Sequence, residues 1–183
     1  RIALAPAYIF GRHTRRGRFA YEYKSEDVSV MVERAEEMRE LADLHGVQIH
    51  THIFAGSAEF ALKRFGEETV DRLLGPDVVV AHGNGLGPRE VDALGRNRCG
   101  VATAPSTAEN VWYGYPPIMG LLEAGANVAI STDGAAPRFS FDIFKDIHRA
   151  LWHQWMTHGT QTVLPVGKAL RMVTIEAARG LGM

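Results

Sequence analysis

Five short apolar runs, each followed by a stretch with helical spacing, constrain this chain more than any other feature. They are Ile2-Ala3-Leu4-Ala5, Val47-Gln48-Ile49-His50-Thr51-His52, Val78-Val79-Val80-Ala81-His82, Gly100-Val101-Ala102-Thr103 and Asn127-Val128-Ala129-Ile130-Ser131. A run such as Val78-Val79-Val80-Ala81 is apolar on both faces of the pleat, which suits a strand covered on two sides in a parallel sheet. Strands that alternate with helices predict a parallel α/β architecture. No repeat of fixed period and no low-complexity tract competes with that reading.

The intervening segments carry their own punctuation. Ser25 opens the longest helix, with Glu26 and Asp27 at the positive end of its dipole. Val28, Met31, Ala35, Met38, Leu41 and Ala42 share one face, and Gly46 ends it. Further helices are expected around residues 58–64, 67–74, 88–94, 117–124, 141–158 and 167–181. Residues 11–18 read as a basic, glycine-punctuated loop that is solvated, with anion binding as the alternative.

The polar chemistry sits at the strand ends. In chain order these are His50 and His52, then His82, then Asp133 directly after the last strand. In a parallel sheet or barrel all of these ends open on one face, where ligands and catalytic groups gather. Imidazole and carboxylate together bind zinc or another divalent ion, or act as an acid/base pair. The bland reading places each of these histidines in the core or on the surface. His50 and His52 are two apart on a strand and point the same way, so either both line the site or His50 orients His52. His45, His148, His153 and His158 lie in or at the ends of helices and His13 lies in the basic loop; all read as surface or packing residues. Asn110, Trp112 and Tyr113, with His82, are the candidate substrate contacts. Trp112, Tyr113 and Tyr115 either stack a planar substrate or simply cap the fold.

Gly83-Asn84-Gly85-Leu86-Gly87-Pro88 follows a strand and precedes a helix, the setting of a dinucleotide-binding loop. The third glycine of that fingerprint is replaced by Pro88, and no acidic residue ends the next strand to hold a ribose. Composition removes other classes. Twenty Lys and Arg against 21 Asp and Glu give a net charge of -1, without the basic footprint of a nucleic-acid or anionic-membrane binder. No apolar run approaches the roughly 20 residues of a membrane helix. The single Cys99 excludes an internal disulfide framework and suits a reducing cytoplasm.

Ile49-His50-Thr51-His52, Val80-Ala81-His82 and the segment Leu121-Leu122-Glu123-Ala124-Gly125-Ala126-Asn127-Val128-Ala129-Ile130-Ser131-Thr132-Asp133-Gly134 resemble the amidohydrolase superfamily. The branch is the one that contains cytosine deaminase, guanine deaminase and the triazine chlorohydrolases. Residues 169–182 are similar to that branch's final barrel helix. The resemblance implies a (β/α)8 TIM-type barrel, α/β in class, of which this chain would hold strands four to eight as one domain over residues 1–183. Strands one to three and the flanking β-sandwich would be absent. It implies a divalent metal, zinc foremost, with iron or another divalent ion as alternatives. His52 would be a metal ligand. His82 would hold the hydrolytic water or the substrate, and Asp133 would ligate the metal and move the proton. The implied reaction is hydrolysis of a non-peptide C–N bond, or a related halide displacement, on a nitrogen-containing ring or amide.

Two departures from the family pattern stand out. Nothing precedes Arg1 to supply the strand-one His-x-His ligand pair, so the sequence reads as starting inside a longer frame. The Glu that deaminases of this branch carry three residues after the strand-five His is Ala55 here. Five strands cannot close a barrel, and Val78 and Val80, in phase with His82, would then face water in place of missing strands. The expectation is a chain that associates with a copy of itself or with its missing half. Two rival readings remain: a catalytically silent barrel fragment or binding module, and an unrelated α/β protein with structural histidines.

Overall fold

The computed structural model describes residues 3–5, 25–111, 114–134 and 141–183, with the side chains of residues 25–32, 110 and 111 outside the description. Five strands form one sheet in sequence order, β1 (Ala3–Leu4), β2 (Gln48–Ile53), β3 (Val78–His82), β4 (Gly100–Thr103) and β5 (Asn127–Ile130), and every neighbouring pair is parallel. Every crossover is helical. The helices are α1 (Ser25–His45), α2 (Ser57–Phe65), α3 (Glu67–Leu73), α4 (Pro88–Arg96), α5 (Pro105–Val111), α6 (Ile118–Ala124), α7 (Ile143–His158), α8 (Val166–Met172) and α9 (Ile175–Gly180). The basic loop of residues 11–18 lies outside the described residues.

The two faces of the sheet have different fates. Ile49, Ile53, Val78, Val80, Val101, Val128 and Ile130 are buried beneath the helices and form the core with Leu73, Leu94, Leu121 and Met172. Burying each such side chain is worth about 1.5–3 kcal/mol. The opposite face carries His52, Ala81, Ala102 and Ala129 in one register layer, and His50, Val79, Gly100 and Asn127 in the layer below. Three of the four residues in the upper layer are alanine, so space remains beside His52. The expected phase is therefore corrected: Val78 and Val80 are fully buried on the helix side, and Val79 and Ala81 face inward. His82 misled the sequence reading because its φ of 73° breaks the pleat at the strand end.

Three other local differences have physical causes. Pro105 starts a helix that is not among those expected from the sequence, because proline suits a first turn and the carboxylate of Asp146 caps it from α7. The expected helix over residues 167–181 divides into α8 and α9 at Val173 and Thr174, where the Thr174 hydroxyl bonds back to the Leu170 carbonyl and the backbone leaves the helical region. Leu41, placed on the buried face of α1 by its spacing, is 44% exposed, whereas Ala35 and Ala42 are buried. No helix among the described residues is long and apolar enough to cross a membrane.

Candidate active site

The C-terminal ends of β2, β3 and β5 bring His52, His82 and Asp133 together. The His52 and His82 rings lie 4.9 Å apart, and His82 Nδ1 lies 3.9 Å from Asp133 Oδ2. Chain reversal makes this possible. His82 at φ 73° and Asp133 at φ 59° are two of the three non-glycine residues with positive φ among the described residues. Such left-handed backbone costs about 1–3 kcal/mol per residue and persists where surrounding structure holds it, most often at functional sites. The alternative, helix-directed orientation that strand phase gives His82 would bury its ring away from His52.

The environment favours the neutral form of both imidazoles. Burial pushes the His52 and His82 pKa values down, and the nearby Asp133 carboxylate offsets that only in part. A neutral imidazole retains a lone pair for a metal or a hydrogen bond. His82 Nδ1 is buried and has no hydrogen-bond partner; at 3.9 Å its contact with Asp133 exceeds hydrogen-bond range. An orphaned buried nitrogen of this kind marks a place where a further group belongs. Phe54 stacks on the same ring at 4.9 Å and forms an apolar wall of the site.

Asp133 is held at both oxygens. Oδ1 accepts from the Gly134 N–H at 2.6 Å, and Oδ2 accepts from the Thr107 hydroxyl at 3.1 Å. His50 turns to the layer below, where its Nε2 lies 3.3 Å from Gln48 Oε1. Gln48 in turn donates to the Gly180 carbonyl. The Asn110 side chain, Trp112 and Tyr113 lie outside the described residues. Tyr115 is partly exposed and packs on His153 of α7. His148 stacks on exposed Trp152, away from the strand ends.

Sequence reasoning missed Thr107, Phe54 and Glu90. Glu90 is 1% exposed, and its carboxylate accepts from Gly56, Ala58, Glu59 and Gly87 N–H groups. It thereby fixes the segment that follows His52. It also takes up the Gly87 N–H at the start of α4. The legible signal was a Glu three residues after Gly87, with proline between, which is half of a capping box.

His52, His82 and Asp133 are suitable metal donors by type. Among the described residues, however, no group of three or more His, Cys, Asp or Glu has the geometry to hold an ion.

The sheet, five parallel strands in sequence order with helical crossovers, is of the α/β class. The chain belongs to the amidohydrolase family, which it matches over residues 5–183. It is 32% identical over 152 residues to a 5'-deoxyadenosine deaminase of Methanosarcina acetivorans, covering 79% of this chain and 35% of that protein. It is 33% identical over 150 residues to an 8-oxoguanine deaminase of Pseudomonas aeruginosa, covering 78% of this chain and 33% of that protein. The chain thus spans about a third of the length of the curated relatives it matches. Among solved structures, a zinc-bound adenosine deaminase from Xanthomonas campestris superposes with a TM-score of 0.75 at 22% identity, over 98% of this chain and 38% of that one. A mutant atrazine chlorohydrolase from Arthrobacter aurescens, complexed with zinc and atraton, gives 0.73 at 23% identity, over 100% of this chain and 38% of that one. At these identities the superpositions establish a shared fold, that of the TIM-barrel amidohydrolases.

Proposed function

We propose that this chain forms strands four to eight, with their helices, of a metal-dependent hydrolase that cleaves a non-peptide C–N bond in a small nitrogen-containing ring or amide. Halide displacement from such a ring is the related alternative. The observation that carries this reading is the convergence of His52, His82 and Asp133, two of them on reversed backbone. His52 and Asp133 would contribute to a divalent ion, zinc foremost, whose remaining ligands come from outside the described residues. When bound, the ion supplies a polarised water.

The roles of the chain's own residues follow from their surroundings. Asp133, 33% exposed at its side chain, accepts a proton from the attacking water and returns it to the leaving nitrogen. His82 presents its unpartnered Nδ1 to the water or the substrate, and Phe54 excludes solvent beside it. Asn110, Trp112 and Tyr113 are proposed from the sequence alone as substrate contacts, and His50 supports the inner layer beneath His52. A second proton-carrying carboxylate is absent among the described residues around His52. Ala55 has none to offer, Glu59 bridges Lys63 at 2.8 Å, and the Glu90 oxygens are taken by backbone N–H groups. This favours substrates whose leaving group needs only the proton that Asp133 carries. The cytoplasm and a homo-oligomer complete the proposal. The incomplete donor set also supports a second reading, in which this chain acts only when joined to other barrel strands.

Ammonia release by the full reading frame that contains this chain tests the reading. With aminated purines, pyrimidines or triazines as substrates, a chelator abolishes release and a divalent metal restores it. Asp133→Asn lowers turnover by roughly 10²–10⁴-fold, the range of a general acid–base group. Full activity in that variant would refute the assigned role.

A further inference from the structure

We infer that Thr107 is a positioning residue for Asp133, set in place by a carboxylate on α7; the inference rests on the hydrolase reading of the site. Thr107 is 3% exposed, and its hydroxyl lies 3.1 Å from Asp133 Oδ2. A carboxylate only accepts, so the hydroxyl donates. The same Oδ2 is the oxygen 3.9 Å from the unpartnered His82 Nδ1. Oδ1 is already turned toward the Gly134 N–H. Thr107 therefore selects which oxygen of Asp133 faces the reaction space and holds the carboxylate plane there.

The hydroxyl is placed by more than its own helix. Thr107 sits in the first turn of α5, and Asp146, 3% exposed on α7, grips the residue before it. Asp146 Oδ1 accepts from the Ser106 N–H at 2.8 Å and also from the Ser106 hydroxyl. The Thr107 N–H closes the turn on the Ala104 carbonyl at 2.9 Å. Because threonine is β-branched, its χ1 choices are few once the backbone is fixed. The clamp on Ser106 thus fixes α5, α5 fixes the Thr107 rotamer, and the rotamer fixes Asp133. Removing a partner that orients a ligating or catalytic carboxylate typically costs about 10–100-fold in metal affinity or activity.

The test compares Thr107→Val, which keeps the shape and removes the donor, with Thr107→Ser, which keeps the donor, in the full reading frame loaded with zinc. Thr107→Val lowers kcat by about 10–100-fold with little change in KM, and Thr107→Ser restores most of it. Zinc affinity, read by chelator competition, follows the same order. A crystal structure shows the Asp133 carboxylate rotated in the valine variant and returned in the serine variant. Should valine not be accommodated, Thr107→Ala against Thr107→Ser makes the same comparison. An unrotated carboxylate with unchanged kcat and zinc affinity in the valine variant overturns the inference. Equal losses in valine and serine variants that track their melting temperatures also overturn it, because they assign Thr107 to packing. A wild-type protein without metal-dependent hydrolysis overturns the hydrolase reading instead, and the carboxylate rotation then still decides the role of Thr107.

Discussion

Replacing Glu90 by Gln tests how the loop after His52 is held. In the wild-type fold Oε1 accepts from Ala58 and Glu59, and Oε2 accepts from Gly56 and Gly87, at 2.9–3.1 Å. Glutamine keeps one acceptor oxygen and puts an NH2 group where the other was. In either orientation two of these backbone N–H groups lose their acceptor and confront a donor. A buried group left unsatisfied costs about 1–3 kcal/mol, so two of them cost about 2–6 kcal/mol. That is a large share of a domain's typical net stability of about 5–15 kcal/mol. For a unit of 150–250 residues each kcal/mol corresponds to about 2–4 °C in Tm, so the fall is at most about 4–24 °C and smaller in proportion for a longer cooperative unit. Scanning calorimetry of the full reading frame reads that fall, and hydrogen exchange localises it. Amides of Gly56, Ala58, Glu59 and Gly87 exchange faster, whereas those of β4 and β5 change less. An unchanged Tm, with unchanged exchange at Ala58 and Glu59, would refute the reasoning.

Two further outcomes follow from the packing. A Cβ on Gly95 would lie 2.3 Å from Ala124 Cβ and 2.4 Å from its carbonyl oxygen, so Gly95→Ala forces α4 and α6 apart. Overpacking of this kind costs about 1–3 kcal/mol, visible as a lower Tm, and an unchanged Tm would show that the two helices are not in close contact. Among the described residues of the 1–183 chain, β1 and β5 are the two edges of the sheet, and a sheet edge invites pairing with another chain. Size-exclusion chromatography with light scattering then gives a mass above the 20.1 kDa monomer or an aggregate, and a clean, cooperatively unfolding monomer would contradict the partial-barrel account.

Much of the architecture is legible in the sequence because strand and helix carry different periods. The runs at Val78–His82 and Asn127–Ile130 are too short and too β-branched to be helices, and glycines and prolines mark their ends. The site is legible only in part. Strand-end position singles out His52, His82 and Asp133, but period-two phase puts His82 on the wrong face. Its reversed backbone depends on what surrounds Gly83, which the pattern does not encode. Thr107 was hidden for a related reason. Nothing local distinguishes it from Ser106, and the partner of each, Asp133 for one and Asp146 for the other, lies far along the chain. Residue pairs brought together by tertiary packing leave no periodic trace.

In the proposed enzyme His52 and Asp133 belong to one metal-binding hydrolytic centre. Metal content settles this most directly. The full reading frame is purified, depleted with chelator, reloaded with zinc and measured by elemental analysis and competition, beside His52→Ala and Asp133→Ala variants of unchanged fold. The account predicts stoichiometric metal in the wild type and a sharply weakened site in both variants. Wild-type metal content and affinity in both variants would contradict it.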